Sequence, residues 1–167
     1  MDKRISLKYG LIAGGSVVLY FLLFYFLDKE SMLKMWVAFV SVIIYFFFMV
    51  IAVKEQRTIK DDMIDFREAI SVAFQTFIIA SALYHIFFFY IMKTDAELVE
   101  MLKQITIDFQ KRYFADQNLA DIEKNLEGYS ISFSDVLLSF AQRAIGGFLL
   151  SVLIAATMRR GKRLKLK

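Results

Sequence analysis

The chain has 167 residues, a formal net charge of +4 and a hydrophobic fraction of 58%. This length suits about one domain, and so apolar a composition lies well above that of ordinary soluble proteins, so a lipid bilayer is the expected solvent. The chain has no cysteine, which excludes disulfides and thiolate sites, and its basic residues concentrate beside apolar segments, which indicates membrane orientation and no nucleic-acid partner.

Two uncharged runs, 9–27 and 35–53, predict the first two membrane spans. Each run contains about 19 residues, which as an α-helix come close to the hydrocarbon thickness of about 30 Å. Basic residues precede the first run, as in a signal peptide, but no small-residue cleavage site follows it. We therefore interpret the first run as an uncleaved membrane anchor.

The third span is predicted at 69–92, a run of about 24 residues that contains His85, the only histidine of the chain. Asp65 and Glu68 precede this run with the spacing of a capping pair. The helix is therefore expected to begin just outside the membrane.

The fourth span is predicted at 136–158 and contains Gln142 and Arg143. A span that began after Arg143 would have about 15 residues, roughly 22 Å of helix, which is too short to cross the bilayer. Arg143 is therefore expected inside the membrane. Together the four spans predict an all-α polytopic membrane protein, with residues 1–167 forming a single four-helix domain.

The segment 93–135, between the third and fourth spans, is the only substantial part of the chain expected outside lipid. Thr94 followed by Glu97 is a capping-box pattern, which predicts that a helix begins there. Its apolar face is predicted from helical spacing to comprise Leu98, Leu102, Ile105, Phe109 and Tyr113. A second helix is predicted from Leu119, Ile122 and Leu126, closed by Gly128. We expect the headgroup layer or the neighbouring helix to cover these faces, and a partner protein is the alternative.

The basic residues beside the spans predict the orientation of the protein. If both termini are cytoplasmic, the inner segments hold 13 Lys and Arg, and the outer segments hold seven over a greater length. We therefore expect the N- and C-termini inside the cell and the loop 93–135 outside it. The tail 159–167 contributes six of the inner basic residues and would also attract anionic lipid.

Arg143 is the sharpest functional candidate, because a charged side chain at a helix centre costs about 2.5 to 3.5 kcal/mol on insertion scales. His85 is expected at a similar depth, roughly 10 Å below the same membrane face. With Gln142, Ser139 and Ser81, these residues would form a polar cluster in the outer half of the bundle.

Two interpretations of this cluster remain open on sequence alone. In the first, Arg143 anchors the span by extending its side chain toward the outer headgroups, and His85 hydrogen-bonds to a neighbouring helix. In the second, Arg143 receives an anion, which would be a lipid phosphate or a carboxylate such as that of Asp28. Tyr84 and Tyr25 are further candidate members of the cluster.

Small residues predict close packing of two spans. Gly10 and Gly14 have GxxxG spacing in the first span. Gly147, Ser151 and Ala155 lie four residues apart in the fourth span. We expect the first and fourth spans to pack on each other through these faces, with homo-oligomerisation as the alternative.

Four segments carry a resemblance to a known family: KYGLIAGG at 8–15, DFREAI at 65–70, YIMKTDAELVEMLKQ at 90–104, and a glycine-bearing last span that ends in MRRGKR. In these segments the chain resembles an uncharacterised family of small bacterial membrane proteins, mostly from Bacteroidota, called domain of unknown function 4199. The resemblance covers nearly the whole chain. It implies a four-span inner-membrane protein, and it brings no known substrate, cofactor or site residue. In such a membrane, the orientation expected from the basic residues places the loop 93–135 in the periplasm.

The sequence favours a small accessory, assembly or lipid-interacting component, acting on the bilayer, on another membrane protein or on a second copy of itself. No acidic residue lies in any span, proline is absent and no nucleophile–base pair can be named, which argues against pumps and enzymes. A lone histidine without cysteine argues against a metal site, and no cofactor is expected. The alternative is a small transporter or channel for an anion or lipid that uses Arg143 and His85.

Overall fold

The computed structural model describes residues 3–61, 63–113 and 131–158. The regular structure within these ranges is helical, and the helices are, in chain order, α1 (Lys3–Leu27), α2 (Lys29–Met32), α3 (Met35–Ile59), α4 (Phe66–Thr94), α5 (Ala96–Tyr113) and α6 (Phe133–Met158). The basic tail 159–167 lies outside the described residues. So does the predicted second loop helix, with Leu119, Ile122, Leu126 and Gly128.

Four of these helices, α1, α3, α4 and α6, are long and apolar enough to cross a bilayer. The all-α polytopic membrane fold expected from the sequence is therefore confirmed. Each helix contains its predicted span and extends past it, most clearly α3, which continues to Ile59. Such extension is expected, because a helix satisfies its own backbone hydrogen bonds in water or lipid, and side chains such as Lys54 and Arg57 can reach the headgroup region.

Helix α4 occupies the centre of the bundle, and α1, α3 and α6 all pack against it. Ala69, Ala73, Thr76 and Ala80 lie in these interfaces and are fully buried. Small side chains let neighbouring backbones approach closely. The resulting dispersion contacts matter most in lipid, where water does not drive helices together.

Gly10 and Gly14 bring α1 against α4. A Cβ atom at Gly10 would lie 2.7 Å from the Cβ of Ile79, and one at Gly14 would lie 2.7 Å from Cδ1 of Leu83. Any side chain at these positions would therefore push the two helices apart. The GxxxG face of the first span thus serves the interface with the third span.

The small-residue face of α6 also packs on α4, along a different side of it. A Cβ atom at Gly147 would lie 2.1 Å from Cδ1 of Phe77, and Ser151 and Ala155 below it are fully buried. The predicted packing of the first span on the fourth is therefore wrong, since α1 and α6 make no close approach in the described part of the chain. Small-residue spacing shows that a helix can be approached closely, but it does not identify the neighbour.

The helix α4 begins at the terminal end of the bundle, by which we mean the end that carries Lys3, Ile59 and Met158. Asp65 occupies the N-cap position, as the sequence predicts, but its side chain makes no capping hydrogen bond. Glu68 does not complete a capping box either, because its carboxylate accepts hydrogen bonds from Gln56 and Lys60.

The opposite end carries the ends of α1 and α4 and the starts of α3, α5 and α6, and we call it the loop end. Here the predicted pairing of Thr94 with Glu97 is wrong. Asp95 caps α5 instead, because its carboxylate accepts from the backbone N–H of Leu98 at 3.1 Å. The Thr94 hydroxyl donates back into α4, to the carbonyl of Tyr90 at 3.0 Å. Threonine and aspartate are both good N-cap residues, so the sequence alone does not separate them.

The outward faces of α1, α3 and α6 carry large exposed apolar side chains. Leu19, Phe39 and Leu149 are examples, one from each helix. A surface of this kind would favour aggregation in water, whereas in a bilayer it contacts acyl chains. The polar side chains that face the inside of the bundle are therefore the ones that need an explanation.

Candidate functional site

A cavity of about 730 Å³ lies between α3, α4 and α6 and reaches the loop end. It forms because α6 packs closely on α4 but touches α3 only over a short stretch. Its wall is largely apolar and includes Val42, Phe77, Phe88 and Leu150, with Leu102 of α5 at the loop end. The volume falls within the range of ordinary small-molecule sites, about 300–1,000 Å³.

Four side chains meet in this cavity, and we call them the cavity cluster: Tyr45, Tyr84, His85 and Arg143. They come from three helices, and each lies about nine or ten residues from the loop end of its helix. At a rise of 1.5 Å per residue, this distance is roughly 15 Å along the helix axis. The cluster is therefore a single layer within the membrane-spanning helices, away from their loop ends.

Arg143 stacks on Tyr84 and leaves one donor atom without a partner. Its guanidinium carbon lies 4.7 Å from the centre of the Tyr84 ring, which is a cation–π contact. Its Nη1 atom is buried and meets no hydrogen-bond partner in the described part of the chain. The hydroxyl of Tyr45 is also buried and has no hydrogen-bond partner among the described residues. Buried polar atoms without partners are rare and costly, so two of them in one cavity indicate a place for a ligand's acceptor atoms.

His85 is held in one orientation by Ser81. Its Nδ1 lies 2.7 Å from the backbone carbonyl oxygen of Ser81 and 3.3 Å from the Ser81 hydroxyl. Because a carbonyl oxygen can only accept, Nδ1 carries the proton and Nε2 of the neutral ring is an acceptor. Phe140 packs edge-on against the ring, with centroids 5.4 Å apart.

Four of the five residues predicted for the polar cluster line the cavity. Arg143 and His85 lie in its middle, and Ser139 and Gln142 line it from α6. Ser81 is fully buried behind His85 and orients it. The structure therefore brings together side chains that the sequence placed only at a common depth.

Asp28 and Tyr25, which the sequence suggested as further members of the cluster, lie outside the cavity. Asp28 caps α2 by accepting from the backbone N–H of Ser31 at 3.2 Å, so its suggested pairing with Arg143 is wrong. Tyr25 donates to Asp95 at the loop end, at 2.9 Å. Neither residue is among those that line the cavity.

Sequence reasoning missed Tyr45. It stands in the aromatic run Tyr45 to Phe48, where nothing in the local pattern separates a buried phenol from three lipid-facing or packing phenylalanines. The available signal was its distance from the start of the second span, which puts it within about one helical turn of the depth of Arg143. Which face of α3 turns inward is decided by α4, where Phe77 packs on Tyr45 with centroids 5.2 Å apart.

The cavity has a closed floor toward the terminal end. Gly147 and Phe77 are in direct contact there, as the space around the glycine shows. Below this contact Ser151 and Ile154 of α6 are buried against the bundle. Among the described residues, the lining of the cavity runs from Leu102 and Ile131 at the loop end to Phe77 and Leu150.

A second polar group, which we call the loop-end cluster, consists of Tyr25, Lys29, Asp95 and Glu97. The Lys29 ammonium lies 2.8 Å from Asp95 and 2.6 Å from Glu97, and Tyr25 donates to Asp95. Donation by Lys29 holds the pKa of Asp95 below its ordinary value, and the two carboxylates raise the pKa of Lys29. The cluster ties α1, α2 and α5 together and positions α5 at the mouth of the cavity.

The chemistry of the cavity suits an anion more than a metal ion. No group of three or more His, Cys, Asp or Glu side chains that could hold a metal ion occurs among the described residues. The guanidinium of Arg143 offers only donors, and its charge repels a cation. One carboxylate, that of Asp135, also lines the cavity near its loop end, where it accepts from the backbone N–H and the hydroxyl of Ser132.

Comparison with known proteins agrees with the resemblance found in the sequence. The profile of one family matches residues 8–160, which include the cavity cluster and reach all four membrane helices. No curated protein and no solved structure matches the chain. The chain therefore belongs to the family described as "Protein of unknown function (DUF4199)".

Proposed function

We propose that this protein is a lipid-interacting component of the membrane that binds one anionic lipid in the cavity between α3, α4 and α6. The observation that carries the proposal is the Nη1 atom of Arg143, a buried donor on a cation without a hydrogen-bond partner among the described residues. The proposed activity is binding, with no catalytic step.

An anion is the natural partner for this site. A guanidinium is always charged, and its planar donors match the oxygens of a phosphate or carboxylate. The cation–π contact with Tyr84 holds the guanidinium plane in place, and Nη1 still has no hydrogen-bond partner among the described residues. The free hydroxyl of Tyr45 can donate to the same anion. Anion and site would then satisfy each other inside a medium that solvates neither.

A lipid, rather than a free ion, suits the rest of the cavity. The wall around the cluster is formed mainly by aromatic and aliphatic side chains such as Phe77, Phe88 and Leu150. Helix α6 touches α3 only briefly, so the cavity has an open flank between two membrane-spanning helices. An acyl chain can occupy that flank while the headgroup oxygens reach Arg143.

The closed floor favours a binding protein over a channel. An ion pathway needs polar atoms or water from one membrane face to the other. In this bundle the described residues that line the cavity reach no further than Phe77 on α4 and Leu150 on α6, part of the way through. Transport by this protein would therefore require α6 to separate from α4 along its best-packed stretch.

The basic residues support an orientation with both termini in the cytoplasm of a bacterial cell, in its inner membrane. The cavity would then open toward the outer leaflet and the periplasm. Because the chain has no native cysteine, Gln104→Cys on α5 should react with an impermeant thiol reagent in spheroplasts. Lys54→Cys, near the terminal end of α3, should be protected until the cells are opened. The reverse pattern would overturn the orientation.

The binding proposal is tested by native mass spectrometry of the protein released from membranes in mild detergent. We expect the wild-type protein to retain one anionic lipid and Arg143→Leu to lose it. Arg67→Leu is the matched control, because Arg67 is exposed at the start of α4 and far from the cavity. Wild-type protein without bound lipid, or equal loss in both variants, would overturn the proposal.

An accessory or assembly role through a protein partner is the second candidate function. It is favoured by Phe109, an exposed aromatic residue on α5, which is the helix that the loop-end cluster holds at the bundle surface. Crosslinking in native membranes distinguishes the two functions. A partner protein captured equally by wild type and Arg143→Leu, and lost in Phe109→Ser, would assign the function to α5 and not to the cavity.

A further inference from the structure

We infer that the cavity selects an anionic lipid whose headgroup also carries a hydroxyl group, and that His85 is the residue that recognises this hydroxyl. This inference rests on the proposed lipid binding and extends it to the class of headgroup. It follows from the opposite hydrogen-bonding character of the two sides of the cavity cluster.

On one side of the cluster, the groups without partners are hydrogen-bond donors, so a ligand must offer acceptors there. Nη1 of Arg143 and the hydroxyl of Tyr45 are buried without partners in the described part of the chain, and both can donate. Two oxygens of one phosphate group, shared between α6 and α3, would satisfy them. A carboxylate offers the same two oxygens, so this side of the site does not distinguish the two anions.

The other side of the cluster needs a donor. Nδ1–H of His85 donates to the backbone carbonyl of Ser81 at 2.7 Å, so the lone pair of Nε2 is the remaining hydrogen-bonding group of the ring, with no hydrogen-bond partner among the described residues. His85 lines the same cavity as Arg143, and both side chains contact the ring of Tyr84. A bare phosphate diester or a carboxylate would present only oxygen lone pairs to Nε2.

A headgroup that places a hydroxyl beside its phosphate satisfies both sides at once. Its phosphate oxygens accept from Arg143 and Tyr45, and its hydroxyl donates to Nε2 of His85. Ser139 and Gln142 lie on the α6 side of the cavity and offer further donors and acceptors to such a headgroup. A glycerol phosphodiester is the simplest chemistry of this kind.

Two lipids of equal charge and with the same acyl chains provide the test. Phosphatidylglycerol carries the hydroxyls, and phosphatidylmethanol replaces the glycerol with a methyl group. Each is titrated onto delipidated full-length protein and measured by native mass spectrometry, with phosphatidylcholine as a zwitterionic reference. We expect the wild type to prefer phosphatidylglycerol about tenfold, because one hydrogen bond to a buried acceptor distinguishes the two lipids.

Variants of His85 show whether that preference comes from this residue. We expect His85→Phe, which keeps a flat ring between Tyr84 and Phe140, to bring the preference close to one by weakening phosphatidylglycerol binding more than phosphatidylmethanol binding. His85→Gln keeps an acceptor oxygen and should retain part of the preference. Thermal unfolding of the lipid-free variants reports separately on folding, and a purely structural role for His85 would lower the binding of both lipids together.

The possible failures are distinguishable. Equal binding of the two anionic lipids by the wild type, or equal loss of both in His85→Phe, would overturn the headgroup inference and leave the proposed function intact. Binding of neither anionic lipid above the phosphatidylcholine level would overturn the proposed function itself. A tenfold preference that persists in His85→Phe would assign the recognition of the hydroxyl to another residue and overturn the role of His85.

Discussion

The cavity cluster and the loop-end cluster are both built around one cation, yet their hydrogen bonding differs. At the loop end, Lys29 reaches two carboxylates, and Asp95 is further bonded by Tyr25 and by the N–H of Leu98. In the cavity, Arg143 rests on an aromatic face and one of its donors has no partner in the described residues. The fully bonded cation sits near water, and the incompletely bonded one sits in the membrane.

We interpret this difference as the one between a structural polar cluster and the proposed binding site. A protein that needed a cation only for packing would provide it with an acceptor, because a buried charge without a partner destabilises the fold. The loop-end cluster is complete, so its value lies in holding α5 to the bundle. The cavity cluster is incomplete among the described residues, and the proposed lipid would complete it. The predictions below test this contrast, from the largest expected effect to the smallest.

The strongest test replaces Arg143 and measures binding and stability separately. We expect Arg143→Leu to weaken the binding of phosphatidylglycerol about 10- to 100-fold, because a hydrogen bond to a charged group contributes about 1.5–3 kcal/mol. We also expect the lipid-free thermal unfolding temperature to be at least that of the wild type, because a charge without a full set of partners is removed from the membrane. A large fall in that temperature would show that Arg143 stabilises the fold. The contrast between the cavity cluster and the loop-end cluster would then not hold.

The second test concerns the floor of the cavity. Gly147→Ala should destabilise the bundle by about 1–3 kcal/mol, because the added methyl group would collide with Phe77 and force α6 away from α4. Gly146→Ala is a matched control, since a Cβ there meets nothing within 4 Å. Denaturation in mixed micelles measures both. Equal stability of the two variants would show that the close approach at Gly147 does not hold the floor.

The third test breaks the loop-end cluster. Asp95→Ala removes the N-cap of α5 and the partner of Lys29, and loss of an N-cap typically costs about 1 kcal/mol. We therefore expect hydrogen exchange in 96–113 to quicken about fivefold, while lipid binding at Arg143 changes less. Asp108→Ala, an exposed acidic residue on the same helix, is the control. Unchanged exchange in Asp95→Ala would show that other contacts fix α5.

The smallest expected effect is the pH dependence of α5. The pKa of Asp95 is lower in the folded protein than in an unfolded chain, so its contribution is complete at neutral pH and is lost as the pH falls through that lowered value, below the ordinary aspartate range near about 4. The pKa of Lys29 is raised, so its contribution is lost only in strong alkali. Exchange protection of α5 should therefore be flat near neutrality and fall in acid. In Asp95→Asn the exchange protection of α5 should not fall in acid. If the same fall occurs in that variant, a group other than Asp95 causes it.

Much of the fold follows from the sequence, because membrane insertion is governed by local composition. Uncharged runs long enough to cross the bilayer predicted all four spans, and the length argument placed Arg143 within the fourth. The helix caps were less predictable. Thr94 and Asp95 are adjacent and equally suited to the N-cap, and the choice of Asp95 depends on Lys29 and Tyr25, which lie some 70 residues away in sequence.

The candidate site was predictable in depth but not in composition. His85, Ser139, Gln142 and Arg143 could be assigned to one layer, because residue count converts directly into distance along a helix. The participation of Tyr45 could not be predicted, since the rotation of α3 about its axis depends on its packing against α4.

The sequence by itself determined that this chain is a four-span helical membrane protein with one arginine inside the bilayer. These properties depend on hydropathy and helix length, which each segment carries alone. Only the tertiary structure decided that α4 is the central helix, that the glycines of α1 and α6 serve two different faces of it, and that the cavity lies beside α3. Helix partners in lipid are chosen by the fit of side chains across an interface, and that fit exists only when the helices are assembled.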